Sequence, residues 1–171
     1  MTGTAGTGGE GLGGIAGHAA SVVTRCCNTG NISGIGNSST GGIVGRCVSK
    51  QGQDISLCYN SGEVKGDGDV GGISGVLGSS NSDPSPKEYN CYNKGKVINI
   101  ANLANITGGI AGRMTANANV TNCYYLSSVG VNQGIGSIAE GGDLEAQNRE
   151  AKVTNIDLKT FDEFITWIEQ Q

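Results

Sequence analysis

Three sets of residues in this chain have the types and spacing to do chemistry. Tyr59, Tyr92 and Tyr124 recur at steps of 33 and 32 residues, and evenly spaced aromatic rings form a platform on which sugar rings stack. Asp67 and Asp69 share one Asp-Gly-Asp corner, the least that a calcium site or an acid–base pair would need. Six cysteines, at 26, 27, 47, 58, 91 and 123, raise disulfide and metal chemistry. His18 is the only histidine.

The spacing speaks against most of these possibilities. No Cys-x-x-Cys or Cys/His cluster occurs, and adjacent Cys26 and Cys27 point to opposite faces of any strand, so no metal site and no cofactor is expected. The positions equivalent to Asp67 and Asp69 in neighbouring repeats are Asn37, Ser39, Ala104 and Ile106, so the acidic pair reads as a solvated turn. His18 aligns with Arg46, Val76 and Arg113, a pattern expected of an exposed, tolerant position rather than a general base. No catalytic motif is present, and the chain is expected not to be an enzyme. The tyrosines remain the best candidate for a binding face, although stacking on one another is the simpler use of such a column.

The elements that hold these residues are repeats. Gly-Gly-Ile-x-Gly occurs at Gly13 to Gly17, Gly41 to Gly45, Gly71 to Gly75 and Gly108 to Gly112. In step with it run Cys26-Cys27-Asn28-Thr29-Gly30, Cys58-Tyr59-Asn60-Ser61-Gly62, Cys91-Tyr92-Asn93-Lys94-Gly95 and an eroded Cys123-Tyr124-Tyr125, their first cysteines 32, 33 and 32 residues apart. Within the second motif Cys58, Asn60, Gly62 and Val64 alternate, the period of extended chain with one face turned inward. Val23, Ile55 and Val120 precede their cysteines by three, an odd step that implies a bend or bulge between the two, and Glu88 breaks this column in the third repeat. Short strands, glycine corners and roughly 30 residues per unit predict an all-β parallel β-helix, or β-solenoid, of about four to five coils, each pairing with the next about 4.8 Å away.

Alignment of the coils assigns the columns. Ala19, Cys47, Leu77 and Met114 form an inward apolar column. Cys26, Cys58, Cys91 and Cys123 stack as small hydrophobes, whose parallel Cβ vectors suit free thiols better than disulfides. Asn28, Asn60 and Asn93, followed by Tyr125, form a column able to pass amide hydrogen bonds from coil to coil.

Residues 138–171 hold eight acidic and three basic side chains, against seven and eight in residues 1–137. The repeats therefore occupy 1–137 and an acidic cap 138–171. In the cap, Thr160 and Glu163 form a capping box, and Phe161, Phe164, Ile165 and Ile168 give one apolar face, predicting a short helix near 160–170 that docks on the last coil with Trp167 at the junction. The nearly neutral repeats exclude a nucleic-acid groove, and no apolar stretch is long enough to span a membrane. The Gly/Thr-rich start reads as the edge of an excised fragment. An insertion from about Ser79 to Lys87, carrying Pro84 and Pro86, is expected to loop out of the third coil.

Taken together, Gly-Gly-Ile-Val-Gly and Asn/Leu-Cys-Tyr-Asn-x-Gly-x-Val resemble the GLUG repeat of large exported bacterial surface proteins and of the N-terminal regions of some IgA-cleaving metallopeptidases. The likeness spans about Gly13 to Gly136, with Cys27 in place of tyrosine and an eroded fourth unit as departures. It implies a non-catalytic, extracellular bacterial module, on the cell surface or secreted. Such a module serves adhesion to a host or bacterial glycan or protein, or is a rigid spacer for neighbouring domains of a larger chain. A β-helical enzyme acting on polysaccharide, or a substrate-positioning module of a secreted peptidase, is the alternative. Alkylation under denaturing, non-reducing conditions is expected to add six adducts per chain, one per cysteine; fewer adducts, measured by intact mass, would contradict the free-thiol reading.

Overall fold

The computed structural model describes residues 11–48, 53–78, 86–139 and 141–171. Among these residues, twenty-one short strands assemble into five sheets of four, three, five, four and five strands, every pairing parallel and every neighbour one coil away. The chain is a β-solenoid of about four turns with two α-helices after it. One sheet stacks Ala16–Ala19, Val44–Cys47, Ser74–Leu77, Ala111–Met114 and Ile135–Ile138. The sheet carrying the tyrosines stacks Cys27–Asn28, Tyr59–Asn60, Tyr92–Asn93, Cys123–Leu126 and Ala151–Thr154. Residues 79–85 of the expected insertion and the segment before Gly11 lie outside the described residues, while Lys87, where the insertion was expected to end, already begins the strand Lys87–Tyr89.

The register follows the sequence columns. Ala19, Cys47, Leu77 and Met114 align and are buried. His18 and Arg113 are exposed, whereas Val76 is buried between Arg46 and Arg113, which corrects the expectation of a uniformly exposed column. The asparagine ladder forms: Asn28 Nδ2 donates to Asn60 Oδ1 at 2.8 Å, and Asn60 Nδ2 to Asn93 Oδ1 at 2.8 Å. At the top of the ladder Asn93 Nδ2 donates to the Gly109 carbonyl at 3.0 Å. The second glycine of each pentad makes room for it, since a methyl at Gly42 or Gly72 would overlap the Asn60 or Asn93 amide. The two motifs are thus one device.

The odd step before each cysteine also has a structural cause. Arg25, Leu57, Asn90 and Asn122 all adopt left-handed backbone, with φ of 53°, 51°, 52° and 51°. This bend turns the chain between two inward residues, Val23 and Cys26 or their equivalents. It costs an ordinary L-residue about 1–2 kcal/mol, and asparagine least.

At the C-terminal end the structure corrects the expected cap. The helix predicted near 160–170 is present as α2, Phe161–Ile168, with the Thr160 hydroxyl accepting from Glu163 N at 3.1 Å. It does not close the last coil; it lies along the tyrosine-bearing side, where its apolar face packs on the outward-pointing rings. The closure comes from α1, Leu144–Glu150, and from Ala151–Thr154, which adds a fifth strand to the tyrosine sheet. The boundary at 137/138 falls inside the strand Ile135–Ile138, since Ile138 still pairs with Met114.

Helix α1 works by side-chain substitution. In earlier coils Val23 N and Arg25 N donate to the Asp54 and Ser56 carbonyls of the next coil. At the corresponding places on the fourth coil, Val120 N donates to Gln147 Oε1 at 2.7 Å and Asn122 N to Glu150 Oε2 at 3.3 Å. Ile135 N donates to Asn148 Oδ1 at 2.8 Å. Amide and carboxylate oxygens stand in for the carbonyls of a coil that is not there. Replacing Gln147 and Asn148 together by alanine strands two backbone donors, each costing about 1–3 kcal/mol when buried. The double variant is expected to lose a few kcal/mol in urea unfolding and to self-associate through the uncovered edge; stability within about 0.5 kcal/mol of wild type would contradict this role.

Candidate functional site

Two of the three rings in the expected tyrosine platform, Tyr59 and Tyr92, are covered. Tyr59 and Tyr92 stack with ring centroids 5.7 Å apart and planes 10° from parallel, and they are 1% and 0% exposed. Phe164 of α2 sits over both, at 5.9 and 6.1 Å, and Trp167 meets Tyr124 edge-on at 4.7 Å. The hydroxyls tie down the segment leading into α2: Tyr59 donates to the Leu158 carbonyl at 3.0 Å and Tyr92 to the Ile156 carbonyl at 2.6 Å. Lys94 adds an ion pair to Asp157 at 2.6 Å. Burial raises both phenols, that of Tyr92 to about 12. Tyr124 keeps partial exposure, its hydroxyl donating to Asn122 Oδ1 and its ring lying 5.5 Å from Lys152 Nζ. The column that looked like a sugar platform is the receptor for the chain's own helix.

The acidic corner is likewise engaged. Asp67 accepts from Gly36 N through both oxygens, at 3.0 and 2.9 Å, where Gly36 has a φ of +79°. Asp69 is buried and accepts from Arg113 Nε at 3.0 Å. Burial raises its carboxyl, against the opposing pull of Arg113 and Arg46. The two carboxylates therefore serve different partners on neighbouring coils.

None of the six cysteines is joined in a disulfide: Cys47, Cys58, Cys91 and Cys123 are buried, Cys26 is partly covered and Cys27 is exposed. The thiols of Cys58, Cys91 and Cys123 each donate to the carbonyl two residues earlier, at 3.2, 3.4 and 3.5 Å. Against this ladder lies a residue that the sequence reading recorded only as an interruption. Glu88 takes the core position between Ile55 and Val120 and is fully buried. Its Oε2 accepts from Ser74 Oγ at 2.6 Å, while its Oε1 has no hydrogen-bond partner among the described residues. Burial pushes the carboxyl up to about 8, with Ser74 opposing. A carboxylate oxygen of Glu88 and the sulfurs of Cys91 and Cys123 all lie within 4.8 Å of one another. The structure thus brings together a constellation that no short-range motif announces.

One open cleft of about 640 Å³ lies on the side formed by Lys96, Asn99, Leu103, Val131 and Gln133. Its amides already hold the surrounding turns: Asn99 Nδ2 donates to the Gly68 carbonyl at 2.9 Å, and Gln133 Nε2 to the Ala104 carbonyl at 2.9 Å.

In comparisons with family models, curated proteins and solved structures, the chain matches none. Truncating Phe164 to alanine removes the ring that both buried tyrosines contact, and is expected to cost about 3 kcal/mol. Urea unfolding should show the loss, with a red shift of Trp167 emission as α2 loosens; an unshifted emission with a loss below about 1 kcal/mol would mean that the helix is held by other contacts.

Proposed function

We propose that this chain is a non-catalytic repeat module of an exported bacterial protein, of the GLUG type suggested by its paired motifs, and that it serves as a rigid spacer for neighbouring domains. One observation carries this reading: the aromatic row that offered the best ligand platform is consumed inside the module, holding α2 against the solenoid. Aromatic surface of that kind is the costly part of a binding face, and here it supplies rigidity instead. The continuous asparagine ladder and parallel register make each coil a brace for the next, the property that a spacer requires.

The rival enzymatic reading needs two carboxyls facing each other across a substrate. The engagement of Asp67 with Gly36 and of Asp69 with Arg113 favours the structural role. An adhesive role is the second reading, and the cleft beside Asn99 and Gln133 is the feature that favours it, since its size is that of a small-ligand site.

Two measurements separate these. The purified chain is expected to show no saturable binding on an array of glycans and host matrix proteins, with or without EDTA. Placed between two folded reporter domains, it should hold them at one separation by single-molecule energy transfer, unchanged by salt. Saturable binding, or a broad distribution of separations, would overturn the spacer reading.

A further inference from the structure

Burying a carboxyl in an otherwise apolar column is costly, and at Glu88 the cost is only half met. Ser74 satisfies one oxygen and nothing among the described residues satisfies the other. The column mates Ile55 and Val120 show what that position ordinarily holds. The carboxyl is also placed beside chemistry of its own kind. Cys91 follows it by three residues on the same coil, Cys123 lies on the next, and the three donor atoms fall within 4.8 Å. Around a tetrahedral zinc with bonds of about 2.0–2.3 Å, ligand atoms stand about 3.5–3.8 Å apart. Side-chain rotations of about 1 Å would close the three donors on a common centre. Ser74, fixed on Glu88 Oε2, would orient the carboxylate from behind, as the outer partners of metal ligands do.

We propose that Glu88, Cys91 and Cys123 form a buried structural site for a thiophilic divalent cation of the zinc class, joining the third coil to the fourth. Two thiolates with one carboxylate are a donor set suited to that ion and poorly suited to calcium or magnesium. The balance is simple: M²⁺ with two thiols and one carboxylic acid gives the bound ion and three released protons, with no change of oxidation state. The core is closed around the site, so the ion enters as the chain folds, and its binding energy is folding energy. Cys58, buried in the same cysteine column on the adjoining coil, is a further sulfur on that side.

The test uses the full chain, unfolded in reductant and chelator and refolded with one equivalent of Co²⁺ or Zn²⁺. Wild type is expected to retain one ion per chain through gel filtration, to show a thiolate-to-cobalt charge-transfer band, and to melt several degrees higher with Zn²⁺ than with EDTA. Glu88→Gln keeps the shape and the Ser74 contact, and should weaken retention at least tenfold while leaving the EDTA melting temperature no lower. Cys91→Ala with Cys123→Ala should abolish the band. X-ray absorption of the zinc form, which does not depend on any variant folding, should find two sulfur ligands. Refolded wild type that retains no metal, or retains it without sulfur ligation, would overturn the proposal, as would a band unchanged in the double cysteine variant.

Discussion

Every coil of a parallel solenoid must pair its backbone N–H and C=O groups with those of the coils before and after it, and this obligation shapes the rest of the molecule. Ile15, Ile43, Ile73 and Ile110 each donate to the next coil at 2.8–3.0 Å. Because the partner lies one coil along the axis, a position's neighbours are its own equivalents in adjacent repeats, and side chains sort into columns. A column succeeds when its members tolerate contact with their own kind. Isoleucine, cysteine and tyrosine do so by packing, and asparagine does so by donating with one end of its amide and accepting with the other.

The same obligation creates a problem at the end of the array, where the last donors face no further coil. The chain solves it twice. Helix α1 offers side-chain oxygens from Gln147, Asn148 and Glu150 to Val120, Ile135 and Asn122, and Ala151–Thr154 then supplies a genuine strand. Helix α2 answers a different need, the covering of aromatic rings that the repeat places on one side. Edge and face are thus closed by separate elements, which is why the acidic segment is long.

Much of the fold was legible because repetition converts sequence into register. Pentad and cysteine motifs in constant phase fixed the solenoid, the apolar column, the asparagine ladder and the bend now seen at Arg25, Leu57, Asn90 and Asn122. The capping box at Thr160 fixed α2 but not its seat, since an amphipathic helix declares an apolar face and not which surface receives it. Gln147 and Asn148 gave no signal, because an amide acting as a surrogate carbonyl has no characteristic spacing. The candidate site fared worst. Tyr59 and Tyr92 have the spacing of a platform whether or not a helix 69 residues beyond Tyr92 lies on them. Glu88, Cys91 and Cys123 meet only through the coil-to-coil register, with Cys123 arriving 32 residues after Cys91.

The most direct test of the coil-to-coil account is residue-resolved amide hydrogen exchange on the wild-type chain. If side chains of α1 replace the next coil, Val120 and Ile135 amides will be protected to nearly the degree of Ile43, Ile73 and Ile110, although no strand follows to accept from them. Slow exchange in the interior coils with rapid exchange at Val120 and Ile135 would contradict the account, leaving the array without a closed end.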